Sequence, residues 1–173
     1  GTGSVGKTIV EAFLEDGTHK VIVFGRKVSN AIALDLVGID NSLKVPEGVL
    51  SAPTYAVDYN DIEQITQTLD KHKVHTLIST ILMYDPVAAQ SERNVIAAAA
   101  QSATVKRFVQ SNWGDKTPED DRCPADRPLP SLSLADSYRS LLIGPNIFRE
   151  QSLEVLRKTD LEWTQFQNGL FLD

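Results

Sequence analysis

Three glycines open the sequence "GTGSVGKTIV", at positions 1, 3 and 6. This G-x-G-x-x-G spacing lets backbone N–H groups and the first turn of a helix come close to a pyrophosphate. Thr2, Ser4 and Val5 complete the same candidate turn between Gly1, Gly3 and Gly6. A plainer reading gives Gly1 and Gly3 to a tight turn and Gly6 to close packing of helix on strand. Context favours phosphate, because the glycines run straight into an amphipathic segment and a strand follows at the spacing of a βαβ unit.

A site that prefers NAD places Asp or Glu about 20 residues past such a motif, to accept hydrogen bonds from the ribose hydroxyl. This sequence has "FGRK" there instead. Arg26 can offer a planar donor fork to a 2′-phosphate, and Lys27 adds charge beside it. NADP(H) is therefore the expected cofactor, against the alternative that both residues are ordinary solvated loop positions. Asp58 falls where an adenine-side contact is expected, although an aspartate capping the next helix explains it as well. Ser79 and Thr80 close a fourth strand, and Ser111 and Asn112 a fifth. All four fall at strand ends that border the crevice of a dinucleotide fold, where strand ends are also polar for ordinary reasons.

The elements that must position these residues follow from periodicity. Val5, Ile9, Val10, Phe13 and Leu14 recur at helical spacing up to the stop signal Asp16-Gly17. Val21 to Phe24 is a short β-branched run that reads as a buried strand ending near Gly25. Residues 28–53 are ambiguous, with a helix expected around Ala31 to Val37. "TYAVDY" reads as a strand, and "DIEQITQTLDKHK" as a helix capped by Asn60 or Asp61 with Ile62, Ile65 and Leu69 on one face. "VHTLIST" supplies another strand, and Asp85-Pro86 an N-cap and N1 pair for an Ala-rich helix running to about Gln101. "VKRFVQS" is a further strand, residues 115–135 a charged, proline-punctuated loop, Asn146 the cap of a helix through Lys158, and "LEWTQFQ" a last strand. Strands and helices in alternation imply an α/β fold, a doubly wound parallel sheet covered on both faces. The glycine turn has no strand before it, so the first strand is expected upstream of Gly1. Residues 1–173 would then be one NAD(P)-binding domain lacking its central strand, and poorly stable by themselves.

Composition sets the outer limits. The 173 residues are 42% hydrophobic and carry a net charge of −6, the size and make-up of one domain with a real core. The acidic balance argues against nucleic acid or an anionic membrane as partner. The lone Cys123 forms no internal disulfide, and no apolar run of about 18 residues suggests a membrane span. A cytoplasmic protein is the default expectation. His19, His72 and His75 lack the spacing of a zinc site, so no metal is expected.

Together "GTGSVGKTIV", Arg26, "VKRFVQSNWG" and "LEWTQFQNGLFLD" resemble the NmrA-like and isoflavone-reductase-like family, a branch of atypical short-chain dehydrogenases. "RFVQSNWG" is similar to that family's Arg-Phe-x-x-Ser-Glu-Phe-Gly pattern, and "WTQFQNGLF" to its Tyr-Thr-x-x-x-x-Gly-x-Phe pattern. The resemblance implies an NADP(H)-binding Rossmann domain followed by a smaller substrate region that this chain mostly lacks. Family members are reductases of small phenolic or other secondary metabolites, or regulators that bind the dinucleotide without turning it over. Reductive members carry a lysine at the start of the helix before the Tyr-Thr strand, and the family spacing brings Arg149 to that place. Arginine stabilises a developing oxyanion but donates a proton poorly. Nor does the sequence hold a Tyr-x-x-x-Lys dyad, since Tyr138 is followed four residues later by Leu142. Two functions are thus expected to compete: an NADPH-dependent reductase of a small organic substrate, with Arg149 as candidate catalytic group, and an inactive dinucleotide sensor that binds a regulatory protein partner.

Overall fold

The computed structural model describes residues 3–26, 51–113 and 147–167, and the backbone alone of residues 32–33. Gly1, Thr2, Lys27, Cys123, Asn146 and the loop 115–135 lie outside the described residues.

Helix α1, Ser4–Asp16, starts at an extended Gly3 and stops where the sequence predicts. Gly17 takes the left-handed conformation at φ 66°, which a side chain would strain, and returns its N–H to the Phe13 carbonyl at 3.2 Å. Val10 on α1 packs with Val23 and Ala52 in a small core. Strand β1, Val23–Gly25, pairs in parallel with β4, Thr54–Ala56. The ladder opens two residues later than expected, with the Val23 N–H on the Pro53 carbonyl at 2.9 Å. Pro53 has a carbonyl to offer but no N–H with which to carry the pairing further back.

Strands β2, Ile32–Ala33, and β3, Ser51–Ala52, form an antiparallel pair. This overturns the helix expected from Ala31 at those two positions: cross-strand pairing to a distant segment outweighs local helical preference. This antiparallel pair stands apart from the parallel ladders that carry the expected doubly wound fold. Helix α2, Ile62–Lys71, is capped by Asp61, whose carboxylate accepts the Gln64 N–H at 2.9 Å. Helix α3, Pro86–Gln101, starts at Asp85, which accepts the N–H groups of both Val87 and Ala88 at 2.8 Å, with Pro86 in the first position, where no N–H is needed.

Strands β5, Thr76–Ile78, β6, Arg107–Gln110, and β7, Glu162–Gln165, make a parallel ribbon in that order. A helix over residues 147–156, α4, leads into β7. It stops two residues short of Lys158, which lies past its end. The main core joins Ile65 and Leu69 of α2, Val95, Ile96, Ala98 and Ala99 of α3, Phe108 of β6 and Leu156 of α4. Alanines at 98 and 99 let α3 come close, and the Thr66 hydroxyl of α2 reaches the Ala98 carbonyl at 3.3 Å.

The parallel strands therefore form two ribbons, β4-β1 and β5-β6-β7, and no ladder among the described residues joins β1 to β5. A doubly wound order gives the position between them to its first strand. Within each ribbon the strands run the same way, so their C-terminal ends share an edge, and the sequence-predicted site residues past β1, β4, β5 and β6 fall on those edges.

Replacing Asp85 by Ala leaves two N–H groups of α3 without their acceptor. The variant should lose about 1 kcal/mol, read as a lower urea midpoint with an unchanged slope; an unchanged midpoint would contradict the cap.

Candidate functional site

At the head of α1, Gly3 has φ −80° and ψ 173°, a conformation open to any residue, and a Cβ built there meets nothing within 4 Å. Among the described residues neither backbone strain nor packing demands glycine at this position. No side chain caps the helix and no acidic residue lies in its first turn, so its amides and the positive end of its dipole are available to an anion. Ser4 is exposed, Val5 half-buried and Gly6 buried.

A cleft of about 560 Å³ lies at the C-terminal ends of β1 and β4, lined by Arg26, Asp58, Tyr59 and Asn60 on one side and by Asp85 and Ser91 from the α3 end on the other. Arg26 is exposed directly after β1. Asp58 does not cap α2, a role that belongs to Asp61. Its carboxylate instead accepts the Asn60 backbone N–H at 2.9 Å, while its own N–H goes to the Gln64 side chain at 2.8 Å, fixing the turn that floors the cleft. Tyr59 donates its hydroxyl to the Phe24 carbonyl at 3.4 Å. Burial pushes the Tyr59 phenol up, with Arg26 pulling it back and Glu92 adding to the rise.

Past β5 and β6 the polar residues are not loose strand-end decoration. Ser79 and Ser111 are both buried and both bonded to one carboxyl, that of Glu92 on α3: the Ser79 hydroxyl donates to one oxygen and the Ser111 N–H to the other at 3.2 Å. Burial pushes Glu92 up to about 7, opposed by those two hydrogen bonds. Thr80 is half-buried between them and Ile81. Asn112 donates its amide to the Gln165 side chain of β7 at 3.0 Å, and Trp113 stacks on Phe166 with ring centroids 5.5 Å apart. Arg149 is half-buried in the first turn of α4, and its carbonyl accepts the Gln110 amide at 2.7 Å. It is not among the residues that line the cleft.

The structure thus groups Arg26 with Asp58, and Ser79 with Ser111. Glu92 escapes a reading by residue type, because a glutamate in a helix is normally solvated. Its position carried the signal: Ala88, Glu92, Val95, Ile96 and Ala99 recur at helical spacing on one stripe, and all five are buried. No described helix is long and apolar enough to cross a membrane.

Parallel strands flanked by helices, with the polar residues gathered at their C-terminal edge, define a Rossmann-like α/β fold. Over its whole length the chain is 32% identical to the oxidoreductase swnN of Metarhizium robertsii and 34% identical to the oxidoreductase BOA1 of Botryotinia fuckeliana, covering 47% of each. It therefore spans about half the length of the curated relatives that it matches. Among solved structures it superposes on leucoanthocyanidin reductase from Vitis vinifera, in a ternary complex at TM-score 0.60 and in the binary complex with NADPH at 0.59. The identities are 17% and 16%, and 96% of this chain is matched to 44% of that one. No protein-family profile matches the sequence. The likeness establishes the fold, and the two fungal relatives agree with the oxidoreductase side of the resemblance without singling out its NmrA-like branch.

The buried acid makes stability depend on pH with a definite sign. A carboxyl whose pKa rises from 4.5 to about 7 on folding contributes fully below the lower value and loses that contribution as pH climbs through the higher one. Glu92→Gln, a neutral stand-in for the acid, should therefore be more stable than the wild type by roughly 1–3 kcal/mol at about pH 8, with the gap closing towards about pH 5. Denaturant melts across that range check it, and a gap independent of pH would contradict it.

Proposed function

We propose that this protein binds NADP(H) and is an NADPH-dependent reductase of a small organic substrate. The observation that carries the reading is the head of α1: an uncapped helix start whose glycine leaves open the space that a side chain would fill. That space suits a diphosphate approaching the amides of Ser4 and Val5. Arg26, at the mouth of the cleft, is the group to hold a 2′-phosphate, with Lys27 following it and Asp58 and Asn60 shaping the floor. The residues present fit the group. The likeness to a reductase solved with NADPH and to two fungal oxidoreductases supports the same reading.

NADPH supplies the hydride when bound. The chain's own contribution is to bind and orient. The helix head would neutralise the diphosphate, Arg26 would select the phosphorylated ribose, and the strand ends at Ser79, Thr80, Ser111 and Asn112 would offer polar groups to the dinucleotide. Arg149 would serve a carbonyl substrate by placing positive charge near a developing oxyanion, leaving the proton to come from solvent or substrate. That same arginine, standing where the reductive family carries lysine, motivates a second reading: a dinucleotide sensor that reports to a regulatory protein partner.

Titrating the intact protein with NADPH and NADH tests the cofactor assignment. Arg26→Ala should weaken NADPH binding by about 10- to 100-fold, the loss of one charge-assisted contact, and leave NADH nearly unchanged; an equal effect on both would refute the selection. Gly3→Ala should weaken both dinucleotides by about tenfold or more without moving the melting temperature, since its Cβ meets no protein atom. A stability loss with binding intact would assign the glycine to folding instead. Consumption of NADPH with a panel of ketones and enones separates the two functions: tight binding without turnover, together with NADPH-dependent capture of a partner, favours the sensor.

A further inference from the structure

The carboxyl of Glu92 is the hub of a polar network that the reading above leaves without a task. One of its oxygens takes the Ser79 hydroxyl past β5 and the other the Ser111 N–H past β6. Each strand end is closed by a second bond. The Ser111 hydroxyl donates to the Ile81 carbonyl at 2.8 Å, and the Trp113 indole donates to the Ser79 carbonyl at 2.9 Å. These direct tethers bracket Thr80, and the Glu92 carboxyl adds a further link from α3 to both Ser79 and Ser111.

A buried carboxyl held by two neutral donors is a costly way to brace two strands, since an apolar or amide side chain avoids its desolvation. We propose that Glu92 is a positioning residue for the dinucleotide: it links Ser79 past β5 with Ser111 past β6, and its proton decides which way the Ser79 hydroxyl points. This rests on the dinucleotide reading above. As a carboxylate, Glu92 receives the Ser79 hydrogen and keeps that hydroxyl turned into the core. As a neutral acid its own O–H donates to Ser79 Oγ, which already accepts the Ile81 N–H at 3.4 Å, and the serine hydrogen is released for a ligand.

With Glu92 pushed up to about 7, both forms are populated in neutral solution. Among the described residues a handful of charged and titratable groups lie near it. Tyr59 after β4 is electrostatically coupled to it, and Arg26 after β1 acts on the same phenol. Arg93 follows it on α3 and bonds Gln90, and Arg149 opens α4 with its carbonyl held by Gln110. An anionic dinucleotide laid against these strand ends favours the neutral acid, so NADPH binding and protonation reinforce each other.

The test follows two signals in the intact protein between about pH 6 and about pH 8: NADPH affinity by calorimetry, and the part of the tryptophan emission that Trp113→Phe abolishes. In the wild type the Trp113 emission should titrate near neutrality, and NADPH affinity should fall with rising pH by about tenfold relative to Glu92→Gln. The ionisation of the cofactor's own 2′-phosphate cancels in that ratio. Glu92→Gln, fixed in the neutral arrangement, should keep the low-pH affinity throughout and show a flat emission. If that variant does not fold, Ser79→Ala removes a hydrogen bond that holds Glu92 down and should move the midpoint of both signals upward, an unmoved midpoint counting against the coupling. Uptake of NADPH with the same profile in wild type and variant overturns the coupling alone. Emission that titrates without any NADPH uptake overturns the dinucleotide reading and the coupling with it.

Discussion

A buried acid with no ion pair among the described residues is where α3, β5 and β6 meet. Glu92 lies wholly inside the protein, held by a serine hydroxyl and a serine amide from two strand ends. Neutral donors only partly repay the lost hydration, which is why burial dominates and the carboxyl is pushed up to about 7. The adjoining edge is tied to this contact through further hydrogen bonds. Ser79 fixes Trp113 through its carbonyl, Ser111 fixes Ile81, and Trp113 in turn stacks on Phe166 past β7.

The site lies where a parallel ribbon forces it to lie. Strands running the same way expose all their C-terminal ends on one edge, so residues far apart in sequence, such as Ser79, Ser111 and Gln165, become neighbours without any local instruction. The other ribbon does the same for Arg26 and Asp58 beside the cleft. Helix α1 adds an uncapped helix head with its backbone dipoles, and a Cβ at Gly3 meets no atom within 4 Å among the described residues.

Much of this was legible in the sequence because it depends on local rules. The Asp85-Pro86 start of α3, the Asp16-Gly17 stop of α1 and the apolar face of Ile62, Ile65 and Leu69 all follow from capping and periodicity within a few residues. The antiparallel pairing of Ile32–Ala33 with Ser51–Ala52 was not legible, since the partner lies across an ambiguous stretch and pairing energy belongs to neither segment alone. Asp58 could be read as an adenine-side contact or a helix cap because three aspartate or asparagine candidates crowd residues 58–61, and geometry gives the cap to Asp61, whose carboxylate accepts the Gln64 N–H. Glu92 was hidden by its residue type, although its place on a stripe of alanine, valine and isoleucine marked it as inward-facing.

The central claim is that a neutral-range acid under the strand ends is coupled to a dinucleotide above them. Carbon-13 NMR of the Glu92 carboxyl carbon, titrated in the intact protein without and with saturating NADPH, reads that acid directly. The predicted result is a midpoint near neutrality that moves higher when NADPH is present. A midpoint in the ordinary carboxylate range, or one that NADPH leaves in place, would contradict it.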